Sequence, residues 1–353
     1  MLASFRGIRG IGDQGDSGPR RLGNKDAGGL GRLVSRSRLI KEPCKADNTA
    51  DGLGLRPSPR RGSTVGEGGA MRTVAVTNAK GGVGKSTTAI NLAAALVELD
   101  RRVLLIDADP SGNASLGYFP TGPARLGLAD LLLDEAGVDE VLRPTAFDNL
   151  DVIPPGDRLS ACSDQMGGTS GLGHGREFRI RRVLKSVTAY DVVIVDTSPV
   201  QTPLNVAILY AVSEVLIPID PCVAALAGVR ALEELIRAVS GFRVEFTDAG
   251  PLVITGVLIT RTDRTLVSKQ IEAEVRTYFG PLVYDKVVPA SVKFREAYAR
   301  GVPLVAYDRF SPGAEAYRAA ARAFLAESAR SVGGGESAKI DDEHSGAYLD
   351  DVA

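Results

Sequence analysis

The run KGGVGKST at residues 80–87 gathers the residue types that a chain of phosphates needs. Gly81, Gly82 and Gly84 let the backbone curl close to phosphate oxygens, so that consecutive amide N–H groups and the start of a following helix face the negative charge. Lys85 then offers a mobile ammonium to the β- and γ-phosphates, the Ser86 hydroxyl is placed to ligate Mg2+, and Val83 and Thr87 complete the cradle. The chemistry expected is binding of ATP with Mg2+ and transfer of the terminal phosphoryl group to water. That reaction asks for positioning and charge neutralisation more than for covalent chemistry, hence for a metal-holding carboxylate and an ordered water. Two acidic segments offer these. In LLIDADPSGNAS, Asp107 and Asp109 follow an apolar run at 103–106, and DVVIVDTSP ends a second apolar run at Asp196, which fits a Mg2+-linked carboxylate. A single carboxylate closing a buried strand is as readily a cap for the next helix. Two of them downstream of a phosphate loop point to catalysis.

A glycine-rich loop carries this meaning only when a strand leads into it and a helix leads out. The segment TVAVTNAKGGVGKSTTAINLAAAL has that form. From Met71 onward short apolar runs alternate with longer helical stretches, which predicts an α/β fold with a mostly parallel sheet covered by helices. Strands are expected at 73–77, 103–106, 150–153, 192–195, 215–218 and 253–259, and helices at 85–99, 176–187, 203–211, 224–240, 266–279, 292–299 and 313–326. One domain, 71–330, accounts for all of them. Residues 1–70 are dense in Gly, Arg, Ser and Pro and bury too little surface to offset chain entropy. They read as a disordered or non-native extension, with translation starting at Met71 behind the GEGG run at 66–69, or else as a basic arm for an anionic partner. Residues 331–353 read as a disordered acidic tail.

Composition narrows the class further. Hydrophobic residues make up 44% and charged residues 24% of the chain, which suits a soluble protein with a substantial core. A formal net charge of -1 argues against a uniformly basic coat but says nothing of local patches. Cys44, Cys162 and Cys222 are far apart and form no CxxC pair, so neither a disulfide framework nor a cysteine zinc site is expected, and the cytoplasm is the natural compartment. No run of about 18 apolar residues is present, so membrane insertion is not expected.

The loop departs from the usual G-x-x-x-x-G-K-[ST] pattern: Ala79 stands where glycine is expected, and Lys80 is an additional lysine. In this deviant form the sequence resembles the ParA/MinD branch of P-loop ATPases, for which KGGxGK[ST] is a signature. The resemblance implies the three-layer αβα P-loop NTPase fold. It also implies that Lys80 reaches across a homodimer interface to the partner's nucleotide, and that Asp109 orients the attacking water. Ser111 stands where the family often has Gln, and Thr197-Ser198-Pro199 replaces a more usual residue-Pro-Pro; neither change removes a carboxylate. The likeness runs from Met71 to about Ala326, through REFRIRRVLKSVTAYDVVIVDTSP, SEVLIPIDPCVAALAGVRALEELI and the stretch containing VVPASVKFREAYARGVPL.

Within that branch, a MinD-like member should end in a basic amphipathic helix, whereas this chain ends in acidic sequence. A nitrogenase-reductase-like member would carry paired cluster cysteines, and this chain has none. The expectation is therefore a ParA-type chromosome or plasmid partition ATPase. By resemblance such a protein binds non-specific DNA as the ATP dimer, associates with the nucleoid and is stimulated by a ParB-like centromere-binding partner. Arg237 and Arg264, with Lys293 and Arg295 behind them, are the candidate DNA contacts. The alternative is a relative that uses the same cycle to position a protein complex such as secretion, polysaccharide or chemotaxis machinery.

Overall fold

The structure, a computed structural model, describes residues 70–122, 124–167, 175–199, 202–222 and 225–333. Apart from Ala70, the extension expected at 1–70 lies outside the described residues.

Three apolar runs form the middle of the sheet. The strands β1 (Arg72–Val76), β2 (Val103–Ala108) and β5 (Val192–Thr197) are buried almost throughout, as strands covered on both faces must be. Around them stand β3 (Arg143–Pro144), β4 (Leu150–Ile153), β6 (Glu214–Ile219) and β7 (Val253–Ile259), in the order β3-β4-β2-β5-β1-β6-β7. Every pairing is parallel except β3 with β4. The chain leaves β1 for β2 and later returns to insert β5 between them, before β6 continues on the other side of β1. The direction of winding thus reverses beside β1, and a parallel sheet opens a crevice beyond its strand ends at such a point.

Alternation along the strands divides the core in two. Val74, Val76, Val103, Leu105, Val192 and Ile194 pack on α1 (Lys85–Val97) and α12 (Pro312–Gly333). Ala75, Leu104, Ile106, Val193 and Val195 face the opposite layer, which contains α6 (Arg176–Ser186), α7 (Pro203–Ala211) and α8 (Ala225–Phe246). Period-two side-chain placement makes each central strand serve both cores.

The expected strands all form, with ends within two residues, and so do the seven expected helices. Two helices run longer than expected. Helix α8 continues past Gly241 because that glycine lies in open space while Arg243 ties the extra turn down, donating to the carbonyls of Leu209, Val212 and Gly250. Helix α12 reaches Gly333, beyond the expected boundary at 330 and into the first residues of the supposed tail. The short elements α2 (Asn113–Leu116), α3 (Leu128–Leu132), α4 (Val138–Val141), α5 (Leu159–Met166) and α11 (Leu304–Tyr307) were not expected, nor was the antiparallel edge strand β3. Helices α9 (Leu266–Phe279) and α10 (Lys293–Ala299) complete the fold. Among the described residues no helix is long and apolar enough to cross a membrane.

Candidate active site

The phosphate-type loop leaves β1 at Val76 and enters α1 at Lys85. Neighbouring elements pin its shape. Asn78 donates to the Pro218 carbonyl at 2.8 Å while its own oxygen accepts from the Lys80 amide at 3.0 Å. Thr260, just beyond β7, donates to the Val83 carbonyl at 2.7 Å, and Arg261 donates to the Gly82 carbonyl at 2.5 Å. Gly82 and Gly84 have φ of 77° and 87°, the left-handed region that a side chain disfavours. Helix α1 begins with no side-chain cap and no acidic residue in its first turn, so its N-terminal amides and dipole suit an anion.

Lys85 is 6% exposed and donates to the Lys80 carbonyl at 3.1 Å. Burial lowers its pKa, against the pull of Asp196 and Asp109. The Lys80 side chain rests against its own chain's loop after β6, with Nζ 3.9 Å from an Asp220 oxygen and 2.6 Å from Cys222 Sγ.

Asp107 and Asp196 are register partners on the adjacent strands β2 and β5, and both are fully buried. Asp107 accepts from the amides of Ser115 at 2.7 Å and Asp109 at 3.2 Å, yet burial and the Asp109 charge hold its pKa at about 6. Asp196 has no well-formed hydrogen bond to either oxygen. Burial, then Asp107, push its pKa well above the usual carboxylate range, while the Ser86 hydroxyl pulls the other way. A buried carboxylate with empty lone pairs beside a second carboxylate calls for a cation. Among the described residues no group of three or more His, Cys, Asp or Glu forms a protein-only metal cage. Mg2+ does not need one, since it typically takes one or two protein oxygens together with phosphates and water. Ser86 and Asp196 fit that role. Asp109 stands just beyond β2, with Oδ1 accepting from the Ser111 amide at 2.9 Å and its hydroxyl at 2.7 Å, which fixes the carboxylate at the mouth of the site.

Gly82, Lys85, Ser86, Thr87 and Asp109 line a cavity of about 420 Å³. The structure brings Arg295 to the same cavity wall, with Phe294 and Tyr298 of α10. A residue expected on a DNA face therefore stands beside the phosphate loop. Lys293 is paired with Glu296 at 2.9 Å. Arg237 on α8 and Arg264 before α9 are exposed, with no ion pair among the described residues. Sequence reasoning noted Asp107 without assigning it a role, although its two-residue spacing from Asp109 was visible. It missed Asn78, which braces the loop from within, and Thr260 and Arg261, which act on it from just beyond β7 with no motif to mark them. It also missed Tyr298, whose hydroxyl is 3.2 Å from the Asn113 side-chain oxygen.

A family model described as an AAA domain matches residues 71–245. The chain is 38% identical to the sporulation initiation inhibitor protein Soj of Bacillus subtilis over 249 residues, covering 70% of this chain and 95% of Soj. It is also 38% identical to the chromosome partitioning protein ParA of Caulobacter vibrioides over 257 residues, covering 71% of this chain and 93% of that protein. Among solved structures, the ATP complex of a Cyanothece McdA variant superposes with a TM-score of 0.62 at 22% identity, covering 73% of this chain and 98% of McdA. The septum site-determining protein MinD of Pyrococcus horikoshii, complexed with Mg-ADP, gives 0.59 at 22% identity, covering 75% and 100%.

Proposed function

The chain belongs to the ParA-type partition ATPases, and from that premise we propose that it is an ATP-driven dimeric switch for chromosome or plasmid partitioning. It is an ATPase that uses ATP and Mg2+. The observation that carries the reading is the desolvated Lys85 ammonium at the start of α1, with the orphaned Asp196 carboxylate nearby and Asp109 at the mouth.

The roles follow from that arrangement. The loop amides and Lys85 bind the β- and γ-phosphates, and Ser86 with Asp196 would hold Mg2+, which when bound neutralises charge developing on the phosphoryl oxygens. Asp109 accepts a hydrogen bond from the attacking water and aligns it with the terminal phosphorus. Asp107 holds the start of α2 through the Ser115 amide and so keeps the Asp109 turn in place.

Lys80 completes the switch by reaching the nucleotide of a second copy, so that ATP closes a homodimer and hydrolysis releases it. The closed dimer binds non-specific DNA, with Arg237 and Arg264 as phosphate contacts, and a ParB-like protein stimulates turnover on the nucleoid. The relatives' names and the exposed, unpaired state of these two arginines support this reading.

The deciding experiment measures phosphate release with and without non-specific duplex DNA and a ParB-like protein. Joint stimulation well above either alone is expected. Stimulation by a protein-complex subunit with no response to DNA would instead select the positioning role. Arg264→Glu should leave ATP-dependent dimerisation intact and weaken DNA retention at fixed salt; unchanged retention removes Arg264 from the DNA surface.

A further inference from the structure

In the layer on the other face of the sheet from α1, α6 and α8 carry a surface that the nucleotide chemistry does not use. Helix α6 lines a cavity of about 530 Å³ with Phe178, Arg179, Arg181, Arg182 and Lys185, and among the described residues Asp248, just past α8, supplies the one carboxylate in its wall. Arg179 and Arg182 share Asp134, at 3.7 and 2.6 Å. Arg181 and Lys185 have no ion pair among the described residues, so positive charge is in excess. Beside the cavity the last turns of α8 expose an aromatic ridge: Phe242 packs edge-on against Tyr210 at 5.1 Å and lies 4.8 Å from Phe246, which is 63% exposed. Charge in excess next to stacked exposed rings fits an occupant that is both acidic and studded with apolar side chains.

We propose that residues 334–353 of this same chain are that occupant, docking on the α6–α8 surface as an internal cover. The proposal does not depend on the partition reading. The segment carries six carboxylates, Glu336, Asp341, Asp342, Glu343, Asp350 and Asp351, against the single Lys339. Ile340, Tyr348, Leu349 and Val352 are interleaved with them and supply apolar groups for the ridge.

Connectivity places its starting point at the correct end of the molecule. The Phe324 carbonyl of α12 accepts from Arg72 at the first residue of β1, so α12 passes the base of the sheet and then continues to Gly333. The last turn of α6 leads to Asp191, whose carbonyl accepts from the Arg72 amide, and Arg243 of α8 donates to the Val212 carbonyl just before β6. All three helix ends therefore meet the strand starts. The 20 residues after Gly333 span about 66–72 Å when extended, and about 25 Å as a coil. That is enough to round the base of the sheet from the α12 face to the α6 face. Tethering also raises the segment's effective concentration to roughly the millimolar range, so that it competes with any external polyanion for Arg181 and Lys185.

Hydrogen exchange on the full chain tests this. The wild type is compared with a variant carrying Asp341→Asn, Asp342→Asn, Glu343→Gln, Asp350→Asn and Asp351→Asn, and with Arg181→Glu plus Lys185→Glu. Exchange in 178–186 and 242–248 should be severalfold slower in the wild type than in either variant, with the difference collapsing at high salt. A synthetic 334–353 peptide should bind the tail-neutralised full chain, and at least tenfold more weakly when Arg181→Glu and Lys185→Glu are added. Retained ATP-induced stabilisation shows that the variants fold. Equal exchange in wild type and tail-neutralised chain, or peptide binding indifferent to the α6 changes, overturns the proposal. So does duplex DNA or an anionic vesicle that protects the same segments equally whether or not the tail is neutralised, since the surface would then belong to that ligand.

Discussion

Replacing Lys85 by alanine should separate nucleotide binding from folding. Without nucleotide Lys85 is 6% exposed, and its ammonium makes one hydrogen bond to a backbone carbonyl and has no carboxylate within ion-pair distance among the described residues. Its removal costs the fold about 1 kcal/mol for that bond, offset in part by relief of the desolvated charge. With ATP bound, the same change strips the phosphates of a buried charge-assisted partner, worth about 2–5 kcal/mol, or roughly 30- to 4,000-fold in affinity. Thermal unfolding reads both effects. At about 100 times the wild-type Kd, ATP with Mg2+ stabilises the wild type by about 2.7 kcal/mol. At about 2–4 °C per kcal/mol for a domain of this size, its midpoint should rise by about 5–11 °C. For Lys85→Ala the same ligand concentration leaves less than about 1 kcal/mol, hence a rise of at most about 3 °C, from an unliganded midpoint close to that of the wild type. A variant whose unliganded midpoint collapses while its ATP-induced rise persists would refute the reasoning and make Lys85 a structural lysine.

Asp109→Ala should keep ATP affinity within a few-fold and lose turnover, because the carboxylate is held by its own turn and no other part of the loop hangs on it; equal loss of affinity would assign it to binding. Asp107 and Asp196 both have folded pKa values above their unfolded ones. In the nucleotide-free chain their contribution to stability is therefore complete below about pH 4 and lost as pH rises, through about 6 for Asp107 and through the raised value of Asp196. Urea midpoints without nucleotide should fall over that window, and Asp196→Asn should flatten the upper part while abolishing the Mg2+ dependence of ATP binding; a rising profile contradicts the burial argument. Gly256→Ala would set a Cβ 2.4 Å from the Tyr284 ring and should cost about 1–3 kcal/mol by urea unfolding without changing ATP affinity.

What the sequence made legible is what depends on local pattern. The apolar run at 103–106 and the one ending at Asp196 are strands buried on both faces, and continuous hydrophobicity over that length is the signature of such strands. The loop glycines were readable because left-handed backbone selects for them. The in-register pairing of Asp107 with Asp196 was not readable, because it depends on β5 inserting beside β2, a relation between segments about 90 residues apart. The same holds for Thr260 and Arg261, which reach the loop only once β7 is in the sheet, and for Arg295, which shares a cavity wall with the start of α1 only once α10 is in place. Helix α8 was expected to end at residue 240, and it runs on through Gly241 to Phe246. The anchor of that extension, Arg243, binds carbonyls more than 30 residues away at Leu209 and Val212.

Lys80 shows how the fold reconciles a single chain with the proposed dimer. In the single chain its ammonium rests against Asp220 and Cys222, with side-chain exposures of 36% for Lys80 and 25% for Asp220. A pair that open to solvent, at 3.9 Å, contributes about 0–1 kcal/mol. Releasing it therefore costs little against a contact with a second copy's phosphates. The rest of the loop does not share this freedom, since Asn78, Thr260 and Arg261 fasten the backbone on both sides of Lys80. The side chain is thus the weakly held part of an otherwise fixed cradle, so nucleotide binding within one chain need not deform the loop in order to free the lysine for the other.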